Sequence, residues 1–212
     1  MQNKIINKKY VISAISLLLF IILTILIFTN VTTKLDDRIN SLMLSINNQK
    51  LTNIMIVITN IGSAYSLISI TLLISLIAII KNKRLPINTI INLFSVFIIS
   101  QILKTIFHRA RPLNEFLVTA TGYSYPSGHT MVSFAYFMFI SYSLSQKIEN
   151  KLLKIVLNIS SFILIFLIGI SRIYLGVHFF TDVIAGYLLA ISHLMIFLNI
   201  REKRGNKWKL LE

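Results

Sequence analysis

The sequence predicts an all-α integral membrane bundle of six transmembrane helices, with an extracytoplasmic amphipathic helix between spans one and two. Three observations predict it. The chain of 212 residues is 55% hydrophobic and only 13% charged, too apolar for an ordinary soluble domain of that length. Its apolar residues gather into six runs, most of them near the roughly 20 residues that a helix needs to cross ~30 Å of hydrocarbon. The basic residues behind the net charge of +14 fall between those runs. They therefore read as membrane topology and not as a nucleic-acid footprint.

The first run, Val11 to Phe28, carries no charge and follows Lys4, Lys8 and Lys9. A signal peptide has the same polarity, but its apolar core is commonly about 7–15 residues long and ends at a small-residue cleavage site. This run is longer and no such site follows, so it is expected to stay as the first span. Next, Leu35, Ile39, Leu42 and Ile46 recur at the spacing of one helix face, and Asp36 and Asp37 suit the positive end of a helix dipole. Residues 31–52 therefore contain the expected amphipathic helix, which either flanks a lipid entrance or is an ordinary loop helix. The second span runs from about Ile54 to Ile80. It is longer than a crossing requires, and Thr59, Asn60, Ser63 and Tyr65 place its beginning at the interface or against other helices. The remaining spans are Leu85 to Phe107, a short one from His129 to Ser145, Leu153 to Ile170, and Phe179 to Ile200. No repeat of 20 to 50 residues is present, so residues 1–212 form one domain whose motif-bearing core is 104–182.

Orientation follows from the loops. If six helices alternate, Lys4, Lys8, Lys9, Lys81, Lys83, Arg84, Lys147, Lys151, Lys154, Arg201, Lys203, Arg204, Lys207 and Lys209 share one side, 14 of the 21 basic residues. That side is the cytoplasm by the excess of Lys and Arg in cytoplasmic loops. The expected protein is thus a multi-pass protein of the plasma membrane with both termini cytoplasmic. Cysteine is absent, which removes disulfides and thiolate metal sites. The abundance of Ile, Asn and Lys is that of a bacterial chain from an AT-rich genome.

Three polar clusters interrupt the apolar pattern, and the alternation puts all three on the extracytoplasmic side. In the first, Lys104 precedes Arg111 by seven residues, two helical turns, and Pro112 disfavours helix at Arg111. A point-charge ammonium and a planar guanidinium together suit a phosphate; basic residues at helix ends also snorkel to headgroups without binding anything. In the second, Pro126-Ser127-Gly128-His129 stands where a loop meets span four. Gly128 allows close backbone approach, and the helix N-terminus offers unpaired amides to an anion. Ser127 is a hydroxyl donor or a cap, and His129 a candidate general acid or an interfacial aromatic. In the third, Ser171-Arg172 is followed by His178 and Asp182, four residues apart. A carboxylate at that spacing can hold an imidazole and free its other nitrogen for attack; a structural His–Asp or Arg–Asp pair is the plainer reading. Two histidines and an acid also suit a metal, but Lys104, Arg111 and Arg172 on the same face argue for an anion. His108 and Arg109 read as interfacial neighbours.

The three strings resemble the motifs of the type 2 phosphatidic acid phosphatase family, which shares its catalytic core with the vanadium-dependent haloperoxidases. The family pattern K-x6-R-P is met by Lys104, Arg111 and Pro112; P-S-G-H by Pro126, Ser127, Gly128 and His129; and S-R-x5-H-x3-D by Ser171, Arg172, His178 and Asp182. The haloperoxidases are larger and soluble, which six apolar runs do not fit. The resemblance implies a membrane enzyme that hydrolyses a lipid phosphate or diphosphate through phosphohistidine. It makes His178 the nucleophile, Asp182 its orienting carboxylate, and His129 the acid that protonates the leaving oxygen and then activates water. Lys104, Arg111 and Arg172 would bind the phosphoryl oxygens, with Ser127 and the Gly128 amide completing the cradle. No metal and no other cofactor is implied. The partners are a phosphorylated membrane lipid and the bilayer, with no nucleic acid and no obligate protein partner. Similarity to the bacterial phosphatidylglycerophosphate phosphatase B and undecaprenyl diphosphate phosphatase groups leaves phosphatidylglycerophosphate, phosphatidate and undecaprenyl diphosphate side by side as substrates. The other class of reading is a lipid-binding or transport protein that holds a phosphorylated headgroup without releasing phosphate.

Overall fold

The computed structural model describes residues 2–78, 84–112 and 117–208, with side chains from 8–76, 84–112 and 117–203. Among the described residues eight helices form and no strand does: α1 (Gln2–Phe28), α2 (Thr33–Ser45), α3 (Gln49–Ile61), α4 (Ala64–Ala78), α5 (Arg84–Phe107), α6 (Gly128–Ser145), α7 (Lys151–Tyr174) and α8 (Phe180–Trp208). Of the expected topology determinants, Lys81, Lys83, Lys209 and the side chains of Lys4, Arg204 and Lys207 lie outside the described residues, as does the end of the expected second span at Ile80.

Four helices, α1, α5, α7 and α8, are long and apolar enough to cross a membrane, and α3 with α4 makes a fifth if that bent pair is one span. The second expected span is thus two helices. They meet at 49° across Gly62 and Ser63, and the first of them begins earlier than the apolar run, at Gln49, where Asn48 caps it by accepting from the Leu51 amide at 2.9 Å. The Ser63 hydroxyl accepts from the Ser66 amide at 3.3 Å and so opens α4. A side chain at 62 would meet the Ile168 Cγ2 of α7 at 2.9 Å, so glycine lets the break sit close against that helix.

α6 falls outside the apolar set for a physical reason. It packs between α5, α7 and α8, and Thr130, Ser133, Tyr136 and Ser141 are all buried along it. A helix screened from lipid by its neighbours needs no apolar face toward the lipid, and its polar groups find partners inside the bundle. Ser133 donates to the His129 carbonyl at 2.6 Å, and the Tyr136 hydroxyl accepts from Thr71 at 3.0 Å.

The amphipathic segment forms as α2, with its two faces reversed relative to a helix of a soluble protein. Leu35, Leu42 and Ile46 are exposed, while Asp36 and Asn40 are buried against the protein. At one end of the bundle, Lys9 pairs with Glu202, which also accepts from the Tyr142 hydroxyl, and Lys203 reaches Tyr10. At the other end, Tyr125 is sealed between Phe20, Phe28 and Phe107, and its hydroxyl meets Thr24 at 2.6 Å. This aromatic plug joins α1, α5 and the loop before α6 beneath the polar clusters.

Candidate active site

Three helix ends and two loops converge on one cavity of about 290 Å³, lined by Lys104, Arg111, Gly128, His129, Arg172 and His178 among others. The structure therefore brings together six of the eight sequence-predicted residues. Asp182 and Ser127 lie behind the wall. The Ser127 hydroxyl meets Thr130 at 2.9 Å and its amide donates to the Asp182 carbonyl at 3.0 Å.

Several residues reach the cavity by a route other than the helical spacing predicts. α5 ends at Phe107, four residues before Arg111. His108 adopts a left-handed conformation, φ +48°, and its amide donates back to the Lys104 carbonyl at 3.1 Å, an end that reverses the chain. Lys104 and Arg111 thus meet through a loop and not along one helix face. Arg172 lies inside the last turn of α7 and not beyond it. His178 precedes α8 instead of standing on it. The Asp182 carboxylate explains why α8 begins there: Oδ2 accepts from the Phe179 amide at 2.9 Å, the return half of a capping box.

Among the described residues the three cations hydrogen-bond only to neutral partners. Lys104 donates to the carbonyl of Tyr123 at 2.6 Å. Arg111 donates to Gly122, Val177 and Thr121 carbonyls at 3.0, 2.7 and 2.7 Å. Arg172 donates to the Thr59 hydroxyl at 2.7 Å, and its Nε is buried without a partner. Backbone carbonyls, and for Arg172 the Thr59 hydroxyl, thus aim these groups without neutralising them, which leaves an electropositive cavity matched to a phosphate. Gly128 serves the same cavity, since a Cβ there would stand 3.1 Å from Ser100 Oγ and 3.6 Å from Lys104 Cε.

His178 is 2% exposed, and its Nδ1 stands 3.5 Å from Asp182 Oδ2. That is beyond an ordinary hydrogen bond, although such contacts tighten when substrate binds. Burial holds the imidazole well below its usual pKa, with Arg172, Lys104 and Arg111 acting in the same direction. Burial also lowers Arg111, and Asp182 opposes that shift. Among the described residues no three His, Asp or Glu side chains converge as a metal site would need.

Sequence reasoning missed three residues. Arg109, read as interfacial, donates to Asp182 Oδ1 at 2.6 Å, to Thr181 Oγ1 at 2.9 Å and to Asp36 Oδ2 at 2.8 Å. Asp36 accepts from the Thr181 amide at 3.0 Å and hydroxyl at 2.6 Å. Asp36 and Asp182 are both fully buried. An Asp in the first turn of an amphipathic helix looks like a dipole partner, and no spacing rule links it to residues some 73 and 145 positions away.

The family described as the PAP2 superfamily matches residues 85–206. Phosphatidylglycerophosphatase B of Bacillus subtilis (strain 168) is 32% identical over 184 residues, 85% of this chain and 89% of that protein. An undecaprenyl-diphosphatase of Sulfolobus acidocaldarius is 28% identical over 145 residues, 66% of this chain and 65% of that protein. Among solved structures, the transmembrane PAP2-type phosphatidylglycerolphosphate phosphatase of Bacillus subtilis superposes with a TM-score of 0.85 at 28% identity, over 90% of this chain and 96% of that one. Aquifex aeolicus LpxE superposes at 0.61, also at 28% identity, over 76% and 93%.

Proposed function

Since the chain belongs to the PAP2 superfamily and is a lipid phosphate hydrolase, we propose that it cleaves its substrate through a phosphohistidine on His178. The observation that carries this reading is a buried imidazole whose Nδ1 faces Asp182 while the ring lines a cavity with Lys104, Arg111 and Arg172. Nε2 of the neutral ring attacks phosphorus, and the bond from phosphorus to the lipid oxygen breaks in line. His129 gives that oxygen its proton. The three cations follow the charge that spreads over the equatorial oxygens, and the Asp182 carboxylate stabilises the ring as it turns positive. His129, now a base, takes a proton from water; the water attacks phosphorus, the N–P bond breaks, and phosphate leaves. The Gly128 amide supports the cradle directly, and Ser127 does so through Thr130 and the Asp182 backbone.

The candidate substrates are phosphatidylglycerophosphate, phosphatidate and undecaprenyl diphosphate, the first and last supported by the names of the two relatives. An apolar groove of about 390 Å³ between α4, α5 and α6 shares Ala64, Phe97 and Val132 with the polar cavity. A lipid would place its headgroup in one and its chain in the other. We count α3 with α4 as one bent span and the screened α6 as another, giving six crossings. α1 and α8 bring Lys8, Lys9, Arg201 and Lys203 to one end of the bundle, opposite the cavity. The positive-inside rule makes that end cytoplasmic and the cavity extracytoplasmic. A cysteine introduced at exposed Ser41 should then react with an impermeant maleimide in intact cells; reaction only after permeabilisation would invert the orientation.

Phosphate release in detergent with EDTA present, from each of the three lipids, tests the mechanism. His178→Ala should fall by roughly 10³-fold or more. Undiminished release would remove His178 from the chemistry, and headgroup binding without release by the native protein would favour the binding or transport reading.

A further inference from the structure

The catalytic cavity is bounded on its hidden side by a charged chain of which the mechanism above uses only Asp182. It runs from Asp36 on α2 through Arg109 to Asp182 on α8. One guanidinium spans the two buried carboxylates, NH2 to Asp36 Oδ2 at 2.8 Å and NH1 to Asp182 Oδ1 at 2.6 Å. Its plane covers the Phe179 ring, 4.2 Å from the centroid. Each end of this chain is fixed a second time. Asp36 accepts from the Thr181 amide and hydroxyl, and so caps α8 from a different helix. Asp182 Oδ2 accepts from the Phe179 amide at the same helix start.

A carboxylate hung on one hydrogen bond can rotate about its Cβ–Cγ bond. Asp182 is instead gripped at Oδ1 by Arg109 and at Oδ2 by the Phe179 amide, and Oδ2 is the oxygen that faces His178 Nδ1 at 3.5 Å. Arg109 therefore sets the plane of the group that orients the nucleophile, and Asp36 sets Arg109. We propose that Arg109 and Asp36 are positioning residues for Asp182, a proposal that rests on the phosphohistidine reading. Neither side chain contacts Lys104, Arg111 or Arg172 in the hydrogen bonds described, so phosphate binding and carboxylate positioning are separable. The chain also gives α2 a functional connection: its polar face reaches the nucleophile through a single guanidinium, while Leu35, Leu42 and Ile46 face outward.

Steady-state kinetics of the full-length protein on phosphatidate, with melting temperature and orthovanadate inhibition measured for each variant, test this. The variants are Arg109→Lys, Arg109→Met and Asp36→Asn, with His178→Ala and Asp37→Asn as controls. Arg109→Met should lower kcat by roughly 10- to 100-fold, the scale of a misplaced reacting group. KM and the vanadate constant should stay within roughly threefold, since the cations remain in place. Arg109→Lys should recover part of kcat by keeping a charge between the carboxylates, and Asp36→Asn should fall between the two. Asp37→Asn, on the exposed side of α2, should behave as the native protein. An unchanged kcat in folded Arg109→Lys and Asp36→Asn would overturn the proposal by leaving the chain a purely structural tie. A raised KM at unchanged kcat would overturn it in favour of substrate binding. If Arg109→Met fails to fold, the Lys and Asn variants decide. Full activity in His178→Ala would instead remove the phosphohistidine reading, an outcome the other variants cannot imitate.

Discussion

His178 is kept neutral by its surroundings, because charging it would place a fourth cation in a buried space already shared with Arg172, Lys104 and Arg111. The folded pKa lies below the unfolded value of about 6.5. Below that value the unfolded chain takes up a proton that the folded chain refuses. The contribution of His178 to stability is therefore complete above the unfolded pKa and is lost as pH falls toward the folded one. The same shift keeps the ring nucleophilic in mildly acidic conditions. Ring-proton NMR of the histidine-labelled protein, with His178 assigned by His178→Gln, should show this residue still neutral at pH values well below the ordinary imidazole pKa of about 6.5. A His178 midpoint near 6.5 would contradict the burial described here. Legibility also divides at this scale. Lys104, Arg111, His129, Arg172, His178 and Asp182 were readable because each sits in a short string with fixed spacing. Arg109 and Asp36 were not, since their meaning lies in one another and in Asp182, across contacts that no local pattern encodes.

The helices and their order were readable from apolar runs, and polar residues mark where those runs break or end. The second run breaks where Gly62 and Ser63 interrupt it, α5 stops at the expected Phe107 where His108 turns the chain back, and α8 starts where Asp182 can cap it. The close approach of α8 to the loop before α6 could not be read, because a glycine in an apolar run has several explanations. A Cβ at Gly186 would lie 2.9 Å from the Ser127 carbonyl oxygen and 3.2 Å from Thr130 Cβ. The first of these is backbone and cannot swing aside. Gly186→Ala must then push α8 away from the start of α6, against the bond between the Ser127 amide and the Asp182 carbonyl. Overpacking of this kind costs about 1–3 kcal/mol. The variant should melt at a lower temperature than the native protein and lose activity together with it. Native stability and turnover would show that the two helices tolerate separation.

At the scale of the molecule, the fold places two unlike spaces side by side, one polar and cationic, the other wholly apolar, joined at Ala64, Phe97 and Val132. The bend between α3 and α4 makes the junction, since Gly62 and Ala64 at the break line the polar cavity while Ile68, Thr71 and Leu72 further along α4 line the groove. A phosphorylated lipid has the same division, so the junction should matter only for substrates with a chain long enough to pass it. Ala64→Phe fills the junction and leaves Lys104, Arg111, Arg172 and His178 untouched. Displacing even two methylenes of a lipid chain from apolar contact loses about 1.6 kcal/mol at ~0.8 kcal/mol each, which is somewhat more than tenfold in affinity. KM for a long-chain phosphatidate should rise by roughly that factor, while hydrolysis of a soluble short-chain phosphate ester stays near the native rate. An equal loss on both substrates would mean that the substitution had disturbed the polar cavity itself. No loss on either would place the lipid chain against another face of the bundle.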